Sequence, residues 1–312
     1  MDFFLGAGAS IQAGIPTGND FTWMFKRDLY CSEQDILKER FKDIQSPRNP
    51  KILQEYFDSK ENYPKLYDDK EYSFYFGKCY STVQARQTFI SNYVDKANPS
   101  FGHLCLANFI ITDKVKNVWT TNFDKLIESG VYKLNPTYSL NIISSANKSS
   151  LSLISNNDYP SIYKLHGDFR YDEIQNTEDE LKELETTLAN YFIKSMQDKG
   201  LVVIGYSGKD DSIMNVLESH INDKEFLSKD IYWVVQNKAL ISNRVKELLE
   251  KFSSINKQSF IVEISDFDDF MYAMYKQYEH KNEIIDNEWK DYQTKKLPIA
   301  FPSAYKENYK RT

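Results

Sequence analysis

The sequence predicts an α/β fold in which a Rossmann-like, mostly parallel sheet carries helices on both faces. Short apolar runs such as 201–204 alternate with segments whose apolar residues recur at helical spacing. The runs are continuously apolar, which is typical of strands buried on both faces of a parallel sheet. A glycine turn and several polar clusters directly follow these runs, and a doubly wound sheet binds its ligand at the carboxyl ends of its strands.

The first strand is predicted at residues 3–5, with the glycine turn 6–10 and a helix after it. Residues from about 20 to 95 carry large apolar residues at helical spacing, and Pro-containing segments at 46–50 and 63–64 interrupt them. This pattern predicts a helical insertion or small subdomain.

Downstream of the insertion, apolar runs and helical segments keep alternating. A buried helix is predicted at 103–110, the Ser- and Asn-rich residues 138–158 predict a loop, and the acidic residues 179–185 begin another helix. The remaining strands are predicted at 117–121, 162–165, 201–204, 231–235 and 261–264.

The apolar pattern fades after about residue 278 into Asp, Asn, Lys and Pro. We therefore predict one domain over 1–278, with 20–95 as its helical insertion, and a C-terminal tail or linker over 279–312. Such a tail can serve as a docking arm for a partner.

Composition argues against several classes of protein. The 312 residues carry a formal net charge of −6, which disfavours direct binding of nucleic acid. No apolar run approaches the roughly 20 residues of a membrane helix, and the first residues lack the pattern of a secretion signal, so a cytoplasmic protein is expected. Cys31, Cys79 and Cys105 are odd in number and widely spaced, so neither a disulfide framework nor a zinc or other metal site is expected.

The turn at residues 6–10 fits a dinucleotide-binding glycine fingerprint only in part. Gly6 and Gly8 are in place, but Ile11 stands where the third glycine belongs, and no acidic strand end follows about 20 residues later. Backbone N–H groups at such a strand-to-helix turn can still bind a pyrophosphate. A purely structural turn is the alternative interpretation.

Four segments, in chain order, resemble motifs of the sirtuin family. They are residues 6–18, 120–124, 164–168 and 205–207, which resemble the family's opening, its catalytic segment, its catalytic-histidine segment and a nucleotide-contacting turn. Together they span about residues 3–270, and the predicted helical insertion is the part least covered. One such match is a weak signal, whereas four in order are a strong one.

The resemblance implies an enzyme that binds NAD as a substrate and breaks the bond between nicotinamide and ribose. Asn122 would position the nucleophile or the ribose, Asp124 would order its loop or the nicotinamide end, and His166 would be the general base. In isolation, an Asn-x-Asp sequence after a strand is usually a turn or helix cap, and a single histidine is more often structural. The cofactor contacts implied are Gly6, Ala7, Gly8, Ser10, Pro16, Thr17, Thr121, Gly205, Tyr206 and Ser207.

The chain departs from the protein deacylases of that family in two ways. It lacks the close cysteine pairs of their zinc module, and residues 17–20 replace an acidic-aromatic-basic continuation of the opening motif. Both differences weaken the expectation of an acyl-lysine cleft and leave dinucleotide binding intact. The chain thus resembles the divergent sirtuin-like domains of bacterial antiphage systems, which hydrolyse NAD⁺ to nicotinamide and ADP-ribose.

The resemblance therefore predicts a regulated NAD⁺ hydrolase, the effector of an antiphage system that acts by abortive infection. Members of that group work with an Argonaute-type protein, a HerA-like ATPase or a fused sensing domain and often oligomerise, so a homo-oligomer or a sensor partner is expected. Two alternatives remain open: an NAD-dependent protein deacylase or ADP-ribosyltransferase, and a non-catalytic sensor or assembly subunit that binds NAD or ADP-ribose.

Overall fold

A parallel sheet forms the centre of the protein. The computed structural model describes residues 1–44, 46, 48–68, 70–144, 148–155, 158–165 and 178–295. These residues form seven strands, all parallel, in the order β3-β4-β2-β1-β5-β6-β7. The strands are β1 Asp2–Leu5, β2 Asn117–Thr120, β3 Asn141–Ser144, β4 Ser161–Lys164, β5 Leu201–Ile204, β6 Ile231–Val235 and β7 Ser259–Glu263. The predicted Rossmann-like α/β fold is confirmed.

Among the described residues, five α-helices lie between β1 and β2, two follow the last strand, and the others lie between later strands. They are α1 Gly18–Glu33, α2 Arg48–Asp58, α3 Glu71–Cys79, α4 Val83–Val94, α5 Phe101–Ile111, α6 Leu126–Leu134, α7 Glu178–Ser195, α8 Asp211–Ser219, α9 Asn243–Ser254, α10 Phe267–Gln277 and α11 Glu283–Lys295. Short 3₁₀ helices cover Ala7–Ala13, Lys38–Phe41, Lys148–Ser155 and Lys238–Leu240.

The two faces of the sheet bury separate apolar clusters because successive side chains of a strand point to opposite faces. Phe4 and Val203 pack on one face with residues of α7, α8 and α9, whereas Phe3 and Val202 pack on the other with residues of α5, α6 and α10. Every residue of β1, β4 and β5 is buried. Double burial explains why β5 is continuously apolar and why the apolar residues of β1 and β4 are consecutive, with polar residues only at the strand ends.

The loop predicted over residues 138–158 is wrong at β3. This strand is four residues long and, among the described residues, lies at the edge of the sheet and pairs only with β4. Its ends are Asn141 and Ser144, so its apolar signal is limited to Ile142 and Ile143. Tertiary pairing with β4 determines this strand, because two apolar residues are too few for a sequence pattern to distinguish a strand from a loop.

Helices α1 to α4 build a separate aromatic core within the segment predicted to be a helical insertion. Phe21, Phe25, Phe57, Tyr75 and Phe76 are buried members of this cluster. The Phe25 and Phe76 rings stack with their centroids 4.9 Å apart. The high aromatic content of the sequence thus supplies, in part, the packing of this helical subdomain.

Helix α11 follows the predicted domain end at residue 278 and packs against the body of the protein. Ile285 is fully buried, and the Trp289 ring stacks on Tyr272 with centroids 3.6 Å apart. The division at residue 278 stays a prediction. Among the described residues, no helix combines the length and apolar character needed to cross a membrane.

Candidate active site

The switch point of the sheet lies between β1 and β5. From β1 the chain turns to one side to form β2, β3 and β4, and it then crosses to the other side to form β5, β6 and β7. A crevice opens beyond the carboxyl ends of strands at such a point. The loops that follow β1 and β5 therefore meet at the place where this fold binds its ligands.

Glycines allow these two loops to come into backbone contact. Gly8 donates its N–H to the Gly205 carbonyl at 2.9 Å. A Cβ on Gly8 would lie 2.8 Å from Gly205 Cα, and a Cβ on Gly205 would lie 2.4 Å from the Ala9 nitrogen. Gly205 also has a φ of +67°, a left-handed conformation that favours glycine. Side chains at either position would push the loops apart.

The turn after β1 uses some of its backbone donors within the protein. Gly6 is extended and precedes the seven-residue 3₁₀ helix Ala7–Ala13. The Gly8 N–H is bound to Gly205, and the Ala9 N–H donates to the Gly6 carbonyl at 3.0 Å. A pyrophosphate at this turn would therefore depend on donors other than these two.

Asn122 is held by hydrogen bonds on three sides. Its backbone N–H donates to Thr120 Oγ1 at 2.9 Å, and its Nδ2 donates to the Gly6 carbonyl at 3.1 Å and to Ser10 Oγ at 3.0 Å. A carbonyl oxygen can only accept, so the bond to Gly6 determines which end of the amide is the nitrogen. Within the described residues Asn122 Oδ1 has no hydrogen-bond partner. This oxygen can accept a hydrogen bond from a ligand.

Ser10 connects Asn122 to Asp124. Its hydroxyl accepts from Asn122 and donates to Asp124 Oδ2 at 2.7 Å. The other carboxylate oxygen of Asp124 accepts the Leu126 N–H at 3.1 Å, at the start of α6. Ser10 and Asp124 are buried. The predicted cofactor contact Ser10 and the predicted catalytic residue Asp124 thus belong to one hydrogen-bonded chain with Asn122.

Two other predicted cofactor contacts have structural partners for their side chains. Thr17 is the N-cap of α1, where its hydroxyl and the Asp20 side chain form a capping box. The Tyr206 ring packs against Phe4 with centroids 4.9 Å apart, and its hydroxyl donates to the Asp210 carbonyl. The Thr17 side chain therefore has a structural role in capping α1, and the Tyr206 side chain has one in core packing.

A cleft of about 980 Å³ collects most of the predicted site residues. Gly6 adjoins the cleft through its hydrogen bond to Asn122. His166 lies outside the described residues. The predicted residues that line the cleft are Ala7, Gly8, Ser10, Pro16, Thr17, Thr121, Asn122, Asp124, Gly205, Tyr206 and Ser207.

One wall of the cleft comes from the helical subdomain, and no sequence pattern predicted it. These residues follow no strand and match no motif, so their approach to Asn122 depends on tertiary packing. They are Phe21, Thr22, Asp68, Lys70, Glu71, Tyr72, Ser73, Ile90 and Val94.

A buried ion pair supports this wall. Lys26 is fully buried, donates to Gln54 Oε1 at 2.6 Å and pairs with Glu71. Desolvation lowers the pKa of Lys26, and Glu71 opposes that shift. Glu71 also accepts a hydrogen bond from the backbone N–H of Tyr67 at 3.0 Å. Tyr67 has a left-handed φ of 69°. The pair therefore holds the segment that enters α3 beside the cleft.

Tyr67 contacts Lys209 in the loop that follows β5. The Lys209 ammonium lies 5.1 Å from the centroid of the Tyr67 ring, within the range of a cation–π interaction. Lys209 lines the cleft, and Tyr67 belongs to the helical subdomain. This contact joins the two walls of the cleft.

Within the described residues, no cluster of three or more His, Cys, Asp or Glu side chains could hold a metal ion.

A comparison with protein-family models agrees with part of the sequence resemblance. A family model described as a SIR2-like domain matches residues 116–256, which include Asn122 and β5 and exclude the glycine turn after β1. No curated protein matches the chain. A solved structure titled as the crystal structure of a Sir2 homolog–NAD complex is similar at 12% sequence identity, with 88% of this chain and 87% of that chain covered and a TM-score of 0.37.

Proposed function

We propose that this protein is an NAD⁺ hydrolase that releases nicotinamide and ADP-ribose. The observation that carries the proposal is the Asn122 amide, oriented by Gly6 and Ser10 so that its oxygen remains available at the edge of a large cleft. The match of residues 116–256 to a SIR2-like domain supports the same chemistry.

The cleft suits a dinucleotide in position and in its mixture of groups. It lies at the switch point of the sheet, where this architecture binds nucleotides. Its lining includes two cations, Lys70 and Lys209, together with five carboxylates. Either lysine can pair with a pyrophosphate. Ile15, Ile90 and Val94 add an apolar portion that can accept a flat aromatic ring.

Hydrolysis requires a water molecule to attack the anomeric carbon as the bond to nicotinamide breaks. The bonding electron pair leaves with nicotinamide and neutralises its ring nitrogen, while positive charge develops on the ribose. Asn122 Oδ1 can accept a hydrogen bond from the attacking water or from a ribose hydroxyl. Neutral amides orient such a group without placing a full charge against the developing cation.

Asp124 and His166 have different proposed roles. Both carboxylate oxygens of Asp124 already accept hydrogen bonds from Ser10 and Leu126, which supports a role in ordering the loop. His166 is proposed as the base that takes the proton of the attacking water. Its assignment rests on the sirtuin-like segment 164–168 alone.

Turnover with NAD⁺ tests this proposal directly. Purified protein, alone and with the products of neighbouring genes, is incubated with NAD⁺, and nicotinamide and ADP-ribose are measured by chromatography. Asn122→Ala should abolish release, whereas Asn222→Ala, at an exposed position after α8, should not. Absence of nicotinamide release under every activating condition would refute the hydrolase.

The same assay distinguishes the other NAD-dependent functions. A deacylase would form O-acyl-ADP-ribose from an acylated peptide, and an ADP-ribosyltransferase would label an acceptor protein. A non-catalytic sensor would bind NAD⁺ without releasing nicotinamide. We favour hydrolysis because the chain lacks the cysteine pairs of the deacylase zinc module.

The biological role that we propose is that of an antiphage effector that depletes NAD⁺ in the infected cell. Its support is the resemblance to the sirtuin-like domains of such systems. A homo-oligomer or a sensor partner would then control the activity. Cellular NAD⁺ measured during phage infection, with wild type and with Asn122→Ala, tests this role, and equal NAD⁺ loss in the two strains would contradict it.

A further inference from the structure

Lys164 is a fully buried lysine directly behind the loop that contains Asn122. It is the last residue of β4 and pairs in register with Thr120, the last residue of β2. Its ammonium donates to the backbone carbonyl of Asp124 at 2.6 Å and lies 2.7 Å from Glu128 Oε1 in α6. Both charged side chains are almost completely withdrawn from solvent. In the sequence Lys164 was noted only as the first residue of the segment 164–168, which resembles the catalytic-histidine segment of the sirtuin family.

A buried ion pair of this kind is a poor source of stability. The free energy of removing two charges from water often exceeds the free energy of their attraction, so apolar residues of similar size often stabilise a fold equally well. Desolvation raises the pKa of Glu128, and the neighbouring Lys164 opposes that shift. The location of the pair, against the loop between β2 and α6, therefore suggests a purpose other than stability.

The contacts of Asp124 show what this purpose is. Its carboxylate is held by Ser10 and by the Leu126 N–H, and its carbonyl is held by Lys164. Ser10 in turn binds the amide of Asn122. Movement of the Asp124 backbone would thus be transmitted through Ser10 to Asn122.

We propose that Lys164 is a positioning residue that fixes the Asn122–Asp124 loop through the Asp124 carbonyl, with Glu128 orienting its ammonium. The proposal rests on the proposed function, because the reaction it serves is the cleavage of NAD⁺. Lys164 has no contact with substrate in this role. Displacement of a catalytic group by about 1 Å can reduce turnover by about 100-fold, so a single lost hydrogen bond behind the loop has a measurable effect.

Three variants separate positioning from simple stability. Lys164→Met leaves Glu128 as an unpaired buried carboxylate and should unfold at a lower temperature than wild type. Lys164→Met/Glu128→Leu removes both charges and should recover much of the thermal stability. Lys257→Met is the matched control, because Lys257 is also buried and donates to backbone carbonyls, including that of Ile221, and neither residue lines the cleft.

Nicotinamide release then gives the decisive comparison. In the double variant we expect kcat to stay about 100-fold below wild type while KM changes by less than about threefold. Lys257→Met should keep its kcat despite lower stability. If the double variant recovers kcat together with stability, the positioning role is overturned and the pair is only structural.

Amide hydrogen exchange tests the same proposal without turnover. In the double variant the Asn122 and Leu126 amides should exchange at least about tenfold faster, while amides of the central strand β5 keep their protection. Unchanged exchange at Asn122 and Leu126 would overturn the positioning role even if the wild type is active. Conversely, faster exchange in the double variant together with an inactive wild type would contradict the hydrolase alone.

Discussion

Ser10 Oγ lies 3.0 Å from Asn122 Nδ2, and this hydrogen bond joins the turn after β1 to the loop after β2. The two residues are 112 positions apart in the chain. The same hydroxyl donates to Asp124, and one buried side chain thus organises the candidate site.

Ser10→Ala should therefore reduce turnover more than an ordinary serine substitution. It removes one of the two acceptors of the Asn122 amide nitrogen and one of the two donors to the Asp124 carboxylate, so we expect kcat for nicotinamide release to fall about 10- to 100-fold. The loss of this donor to a buried carboxylate should also cost about 1–3 kcal/mol of unfolding free energy. Ser254→Ala, at an exposed helix end, is the control. Equal kcat values for both variants would contradict the organising role of Ser10.

Gly205→Ala should destabilise the protein strongly. Its Cβ would lie 2.4 Å from the Ala9 nitrogen in a left-handed backbone conformation, so we expect a loss of about 3 kcal/mol or more in denaturant unfolding. Gly77→Ala provides the contrast, because Gly77 lies in α3 with no heavy atom within 4 Å of the added Cβ. That substitution should be neutral or stabilise by up to about 1 kcal/mol, since alanine favours a helix. A small effect of Gly205→Ala would show that the two loops separate easily.

His103 should make the protein less stable at acidic pH. Burial lowers its pKa to about 4, whereas the unfolded chain has a value of about 6.5. Between these values the unfolded state binds a proton that the folded state does not, so stability falls as the pH decreases from about 6.5 to about 4. Above this window the contribution is constant.

The comparison of two variants isolates that effect. Denaturant unfolding of wild type and His103→Gln is measured at two pH values. The first, pH 7.5, lies about one unit above the ordinary pKa of histidine, and the second, pH 5, lies about one unit above the lowered pKa of His103. The wild type should lose about 2 kcal/mol more than the variant between these pH values. Other titrating groups contribute equally to both proteins, so parallel pH profiles would contradict a buried neutral His103.

The contact between Tyr67 and Lys209 should strengthen nucleotide binding. Tyr67→Ala and Lys209→Met are each expected to raise the dissociation constant of NAD⁺ by a few-fold, since an exposed cation–π pair contributes about 0.5–1 kcal/mol. Lys209→Met should have the larger effect because this side chain also lines the cleft. The double variant should be less than additive, as expected for a shared interaction. Tyr132→Ala, at another exposed tyrosine, is the control, and full additivity would show that the contact has no role.

Sequence patterns predicted the features that depend on residues close together in the chain. Strands β1 and β5 are mostly apolar because they are buried on both faces of the sheet. The loops that follow them lie in contact, which requires glycine at Gly8 and Gly205. Asn122 was predicted to follow a strand because the residues of β2 before it form a recognisable strand pattern.

The α/β class, the central strands and the polar residues at their carboxyl ends are predictable from the sequence alone, because strand burial and turn conformation affect the choice of residues within a short segment. The position of Glu71 and Ile90 in the wall of the cleft, and the hydrogen bond from Lys164 to the Asp124 carbonyl, depend on the tertiary structure. These contacts join residues far apart in the chain, and the order of the strands and the packing of the helical subdomain, rather than any local pattern, bring them together.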